Sequence, residues 1–107
     1  MTILERLEEI RLRFDDVSQQ IIDPEVIANQ KKYVQLNKEY KDLQPIMKAQ
    51  KEYKELLSNI ETAKEMMQED DDEMREMAKA ELNEYEDRLE ALVEEIKILL
   101  IPKDLSL

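Results

Sequence analysis

The sequence predicts an all-α fold: an antiparallel bundle of three long helices with coiled-coil-like packing, or of four if the middle helix breaks at Pro45. Three observations lead to this prediction. Apolar residues recur at alternating steps of three and four along most of the 107 residues, which is the spacing of a buried helical stripe. The chain has no glycine, so tight hairpins and phosphate-binding loops are improbable. Its three prolines stand where helices would begin, bend or stop.

The first helix is predicted from about residue 2 to residue 20. Thr2 and Glu5 have the spacing of a capping box, in which each side chain bonds the free backbone N–H of the other residue. Asp23 and Pro24 mark a restart, because aspartate caps a helix and proline is tolerated in its first turn. The predicted buried stripe consists of Ile3, Leu7, Ile10, Phe14, Val17 and Ile21.

The second helix is predicted over residues 24–69, with a kink or a break near Pro45. Proline removes one backbone donor and clashes with the carbonyl four residues earlier. The apolar series also changes phase there, which rotates the stripe by about 100°. We therefore expect the two halves of this helix to face different partners. The first series is Val26, Tyr33, Leu36, Tyr40, Leu43 and Met47; the second is Ile46, Ala49, Tyr53, Leu56, Leu57, Ile60, Ala63 and Met67.

The third helix is predicted over residues 73–101, between an acidic cluster at 69–73 and Pro102. Short connections favour antiparallel neighbours, so helix one should run back along residues 24–44 and helix three along 46–69. Residues 1–104 are predicted to form a single helical domain, and 105–107 a tail or the start of a missing domain. The stripe of the third helix is Ala78, Leu82, Tyr85, Leu89, Leu92, Ile96 and Leu99.

The charge balance points to a protein partner. Sixteen basic and 27 acidic residues give a net charge of −11, which repels both a phosphate backbone and an anionic membrane. The longest apolar run, residues 98–101, is too short to span a bilayer, and the acidic N-terminus does not resemble a signal peptide. No cysteine is present, which is compatible with a reducing compartment. A cytoplasmic location is therefore expected.

The residues that most catalytic sites need are missing. Without histidine, cysteine or glycine the chain lacks most nucleophile, zinc and phosphate-loop arrangements, and Ser18, Ser58 and Ser106 have no evident base beside them. The acidic cluster lacks the alternating oxygen donors and central glycine of a calcium loop, so we interpret it as a solvated turn that also favours the start of the third helix. We predict no catalytic, cofactor-binding or metal-binding residue, and no cofactor.

The tyrosines, and the methionines beside the acidic cluster, can each be interpreted as packing residues or as a binding surface. The tyrosines lie on the predicted stripes, which favours packing with the hydroxyl at the rim over a binding role. The methionines flanking the acidic cluster could form an adaptable docking surface, but filling the irregular end of a bundle is the favoured interpretation. The tyrosines are Tyr33, Tyr40, Tyr53 and Tyr85, and the methionines are Met66, Met67, Met74 and Met77.

Several segments, in order along residues 1–104, resemble the N-terminal helical domain of the bacterial peptide chain release factor 1 family, the class I factors that read UAA and UAG. The most specific are residues 73–78 with Glu81 and Leu82, and residues 99–104, which resemble that family's link into its next domain. Weaker resemblances are residues 23–26, 38–40 and 61–64.

The resemblance implies a domain that docks on the ribosome near the stalk base of the large subunit, largely through contacts with ribosomal protein. It also implies a role in coupling to the class II release factor GTPase. The family's codon-reading tripeptide and its Gly-Gly-Gln motif are absent, so no catalytic or codon-contacting residue is carried over. Residues 105–107 depart from the family pattern, which suggests a chain truncated or interrupted before those domains. The alternatives are a free-standing acidic coiled-coil adaptor or chaperone subunit and, on charge alone, metal-assisted hydrolysis at the acidic cluster.

Overall fold

The computed structural model describes residues 2–102, and this part of the chain contains four α-helices and no strand. They are α1 (Ile3–Gln20), α2 (Pro24–Ala28), α3 (Gln30–Met66) and α4 (Asp72–Leu99). The predicted all-α class is confirmed. The chain divides into two compact units, one ending at Gln50 and the other beginning at Lys51, so α3 contributes to both. A single domain over residues 1–104 stays a prediction.

The capping residues of α1 and α2 are those expected from the sequence. The backbone N–H of Glu5 donates to Thr2 Oγ1 at 3.1 Å. The carboxylate of Glu5 also accepts a bond from the Thr2 hydroxyl. The Asp23 carboxylate accepts from the N–H of Glu25 at 2.9 Å, with Pro24 in the first turn of α2.

The interruption of the predicted middle helix lies at Asn29 and not at Pro45. Asn29 has an extended backbone, and its side chain accepts a bond from the N–H of Lys32 at 3.2 Å, so it ends α2 and caps α3. α3 continues through Pro45, so of the two predicted alternatives, a kink or a break, the break does not occur. Pro45 and Lys41, the residue whose carbonyl lacks a helical donor, both lie on the exposed side of α3.

The predicted stripes describe the buried faces of the helices well. Of the stripe residues, only Leu99 is exposed, at 36%. In α3 the buried side chains change from the series of Leu36 to the series of Ile46, as the phase change predicts. The core residues are Leu7, Ile10, Val17, Val26, Leu36, Ile46, Ala49, Leu56, Ile60, Ala63, Ala78, Leu92 and Ile96.

In the first unit, α1 runs antiparallel to the first part of α3. Near the start of α1 the carbonyl of Leu7 accepts a bond from the Gln50 amide, and near its end Val17 packs in one cluster with Leu36. Increasing residue numbers in α1 therefore meet decreasing numbers in α3. The centroids of the Phe14 and Tyr40 rings, stacked between these points, are 4.9 Å apart.

In the second unit, the last part of α3 and α4 form a helical hairpin. Residues 67–71 connect the two helices, and Arg88 of α4 bonds Glu52 of α3 at 2.6 Å. These two residues lie at similar distances along the chain from the connection, which is the arrangement of antiparallel neighbours. α4 begins at Asp72, one residue before the predicted start, and α3 ends three residues before the predicted end.

Candidate functional surface

The acidic cluster at residues 69–73 forms the connection between α3 and α4 and the first turn of α4. The Asp71 carboxylate accepts bonds from the N–H groups of Glu73 and Met74, which makes Asp71 the helix cap. Arg75 crosses the turn, donating to the Glu69 carbonyl at 2.7 Å and to the Asp72 carboxylate. Two of the acidic side chains are therefore engaged in closing the turn.

No cation site is found at this turn. Within residues 2–102 no group of three or more histidine, cysteine or acidic side chains is arranged to hold a metal ion. The carboxylates of the turn have the arrangement of helix caps and ion-pair partners. The predicted absence of catalytic, cofactor and metal residues stays a prediction for the whole chain.

The four methionines beside the turn divide into two pairs. Met66, the last residue of α3, and Met67, the first of the connection, are both half-buried. Met74 and Met77, three residues apart on α4, are exposed, Met77 at 58%. The packing interpretation therefore fits the first pair only. The second pair forms an apolar spot on a strongly acidic helix, where a partner could contact it.

The four tyrosines all lie on the inner faces of the helices. Each is half-buried, and Tyr40 stacks on Phe14 with an angle of 21° between the ring planes. Tyr33 packs with Tyr40 against the buried cluster of Val17, Val26 and Leu36. These positions fit the packing role that the sequence favoured.

Two arginine–carboxylate pairs join the helices within their units, and the sequence pattern did not reveal either. Arg13 of α1 holds Glu39 of α3 by two bonds of 2.6 and 2.7 Å. Arg88 of α4 holds Glu52 by two bonds of 2.6 and 2.8 Å and also contacts Glu95. Both pairs have the fork geometry that makes arginine specific for carboxylates. Forty percent of the chain is charged, so sequence alone could not select these partners.

The same pairs change the acidity of their members. The hydrogen bonds from Arg13 lower the pKa of Glu39 below its ordinary value of 4.5, against a smaller opposing effect of burial. The bonds to Glu39 raise the pKa of Arg13, and the bonds to Glu52 and Glu95 raise the pKa of Arg88. Both arginines keep their charge at any physiological pH. Because the pKa of Glu39 is lowered, its carboxylate is also charged at neutral pH, so the Arg13–Glu39 pair keeps both charges there.

Gln50 is the buried polar residue that sequence reasoning missed. Its side chain is almost fully enclosed, and its Nε2 donates to the carbonyl of Leu7 at 3.4 Å. The bond reaches across from α3 to α1 within the first unit. A signal was present in the sequence, because Gln50 lies four residues after Ile46 and thus on the apolar face of the helix.

Together these features define a strongly acidic, all-helical chain in which residues 2–102 contain no cluster of metal-binding side chains. None of the helices in the described part of the chain is long and apolar enough to cross a membrane. The chain belongs to the PCRF domain family, whose model matches residues 10–106. Of the segment that resembles the family's interdomain link, residues 99–102 belong to the described part of the chain, whereas residues 103 and 104 lie outside it.

Several similar curated proteins carry the name of a bacterial release factor. "Peptide chain release factor 1" of Bacteroides thetaiotaomicron is 56% identical over 104 residues, and that of Flavobacterium psychrophilum is 50% identical over 103 residues. The protein of the same name from Clostridioides difficile is 47% identical over 103 residues. The alignments cover 95–96% of this chain but only 28–29% of the relatives. No solved structure matches the chain.

Proposed function

We propose that this chain is the N-terminal helical domain of a cytoplasmic translation termination factor of the release factor 1 type. The observation that carries the proposal is the family match, which extends over nearly the whole chain and agrees with the helices of the structure. The aligned relatives carry the name of a peptide chain release factor. In such a factor, the remaining domains would read the stop codon and trigger peptidyl-tRNA hydrolysis.

The role of this domain in the proposal is docking on the ribosome near the stalk base of the large subunit. The net charge of −11 supports contact with a basic ribosomal protein, because it opposes binding to ribosomal RNA. Exposed apolar side chains such as Met77 add surface that can be buried on contact. The class II release factor GTPase is a second partner in this proposal, through coupling of its activity to the docked factor.

A termination assay tests the division of labour. We expect no stop-codon-dependent peptide release above background when these 107 residues alone are added to ribosomes holding a peptidyl-tRNA at UAA. An intact release factor serves as the positive control. Release by the isolated chain would refute the proposal that the hydrolytic function lies elsewhere.

A binding assay tests the docking. Labelled chain is titrated with large ribosomal subunits and with subunits stripped of their stalk-base protein. We expect the anisotropy of the label to rise with the intact subunits and to rise much less with the stripped ones. Equal binding to both would refute docking through that protein. A chain that instead sediments as an obligate oligomer, with no affinity for subunits, would favour the free-standing adaptor.

A further inference from the structure

The charge of the chain is distributed very unevenly along its helices. Residues 30–50, the first part of α3, hold five lysines and two acidic residues, whereas α4 holds ten acidic and four basic residues. Glu39, one of the two acids in the lysine-rich stretch, is bound by Arg13, and the other, Asp42, is half-buried. The exposed face of this stretch is therefore basic in a protein that is acidic elsewhere.

A groove lies on that basic stretch. Its volume is ≈ 420 Å³. Val34 is 60% exposed, and Lys38 and Lys41 follow it by four and seven residues, which places all three on one face of α3. Neither lysine forms an ion pair with a residue of the described part, 2–102. The groove is lined by Tyr33, Val34, Asn37, Lys38 and Lys41.

The floor of the groove is held in place by the core of the first unit. Tyr33 packs against the buried cluster that contains Val17 and Leu36. The Asn37 amide donates to the Tyr33 carbonyl at 2.8 Å, which fixes the next turn of the lining. The part of the lining at Tyr33 and Asn37 is thus preformed, so the free-energy cost of ordering the groove falls mainly on the exposed side chains of Lys38 and Lys41.

We propose that this groove is a docking site for an acidic amphipathic helix of a partner protein. A leucine-like side chain of the partner would cover Val34 and the exposed edge of Tyr33, and carboxylates one turn away would pair with Lys38 and Lys41. An apolar floor flanked by unpaired cations is complementary to that ligand. A nucleic acid would leave Val34 uncovered, because its phosphates pair with lysines and do not cover an aliphatic side chain.

The groove does not depend on docking at the stalk base. Its ligand is acidic, whereas the ribosomal contact proposed above uses the acidity of the chain itself. The two proposals can therefore fail separately, because the groove is tested with purified chain and a synthetic ligand in the absence of ribosomes.

The test is an NMR titration of isotope-labelled chain with a short capped synthetic helix that carries leucines four residues apart and glutamates on the same face. We expect saturable shifts centred on the backbone amides of residues 33–41. The same peptide with every glutamate replaced by glutamine should bind at least about tenfold more weakly, because it lacks the charges that pair with the lysines.

Variants of the chain locate the site. Lys38→Glu combined with Lys41→Glu should weaken binding at least about tenfold, and Val34→Ser by about threefold to tenfold. Lys79→Glu is the matched control, because Lys79 is an exposed lysine of the acidic helix α4, and it should bind within about twofold of the parent chain. All of these positions are exposed, so circular dichroism should show the parent helicity in each variant.

Three results would overturn the proposal. One is the absence of saturable shifts, or shifts centred outside residues 33–41. Another is equal binding of a single-stranded RNA oligonucleotide with the same dependence on Lys38 and Lys41, which would make the groove a phosphate site. The third is self-association of the chain in sedimentation that is lost in the double lysine variant, because the natural occupant would then be the acidic helix of a second copy.

Discussion

Replacing Leu92 by alanine gives a direct test of the packing between α4 and α3 in the second unit. Leu92 is 1% exposed and lies on the stripe of α4 between Ala78 and Ile96, which are also fully buried. The substitution removes three carbon atoms, worth about 2.4 kcal/mol at roughly 0.8 kcal/mol each, and the cavity left behind adds on the order of 1 kcal/mol. We expect the free energy of unfolding to fall by about 2.5 to 4 kcal/mol.

Two matched variants calibrate this value. Leu89 has the same heptad role in the sequence but is only half-buried, so Leu89→Ala should cost about 1 to 2 kcal/mol. Leu12 is 58% exposed on α1, and Leu12→Ala should change stability by less than about 0.5 kcal/mol. Urea unfolding followed by circular dichroism measures all three, with unchanged m-values as the check on two-state behaviour. Equal losses for Leu92 and Leu12 would refute the assignment of the buried face.

The remaining predictions concern an ion pair, a helix cap and the internal proline. The pair with Arg13 depresses the folded-state pKa of Glu39. At these partly exposed positions the pair contributes about 0.5 to 1 kcal/mol of stability. That stability is present above pH 4.5 and is lost as the pH falls through the folded-state pKa. The difference in urea midpoint between the parent and Glu39→Gln should shrink as the pH falls through this range. A difference that does not change with pH would contradict the assignment of this stability to the Arg13–Glu39 pair. Asp71→Ala should lower the free energy of unfolding by about 1 kcal/mol, because it removes the cap of α4. Asp70 caps no helix in the described part of the chain, so Asp70→Ala should be near neutral. Equal losses for the two variants would contradict the assignment of Asp71 as the cap. Pro45→Ala should raise the thermal midpoint, because the restored backbone N–H can form the helical hydrogen bond and add about 1 to 3 kcal/mol of stability. A loss of stability would show that packing requires the proline.

The periodicity of apolar residues predicted most of the fold, because helices associate chiefly by burying one apolar face. The stripe residues of α1 and α3 are all at least half-buried, and the phase change near Pro45 appears as a change in which residues of α3 are enclosed. Periodicity could not place the interruption. Within the middle helix the sequence predicts a breakpoint only at Pro45, whereas the structure interrupts the helix at Asn29 and continues it through Pro45, which lies on the exposed side of α3.

The surface was less predictable than the core. Heptad spacing places Met74 and Met77 near the acidic turn but does not show that they are exposed. The pairing of Arg13 with Glu39 depends on the register of two antiparallel helices, which sequence leaves open among many charged residues. The groove around Val34 has no motif at all and emerged only from the exposure of that side chain beside two lysines.

Crosslinking on the ribosome tests the central proposal most directly. A photoreactive residue is placed at Met77, exposed on α4, in a full-length release factor that carries this chain as its N-terminal domain, and at the buried position of Ala63 as the control. With ribosomes stalled at a stop codon, we predict crosslinks from Met77 to protein of the large-subunit stalk base and none from Ala63. Crosslinks confined to ribosomal RNA, or to small-subunit proteins, would contradict docking at the stalk base.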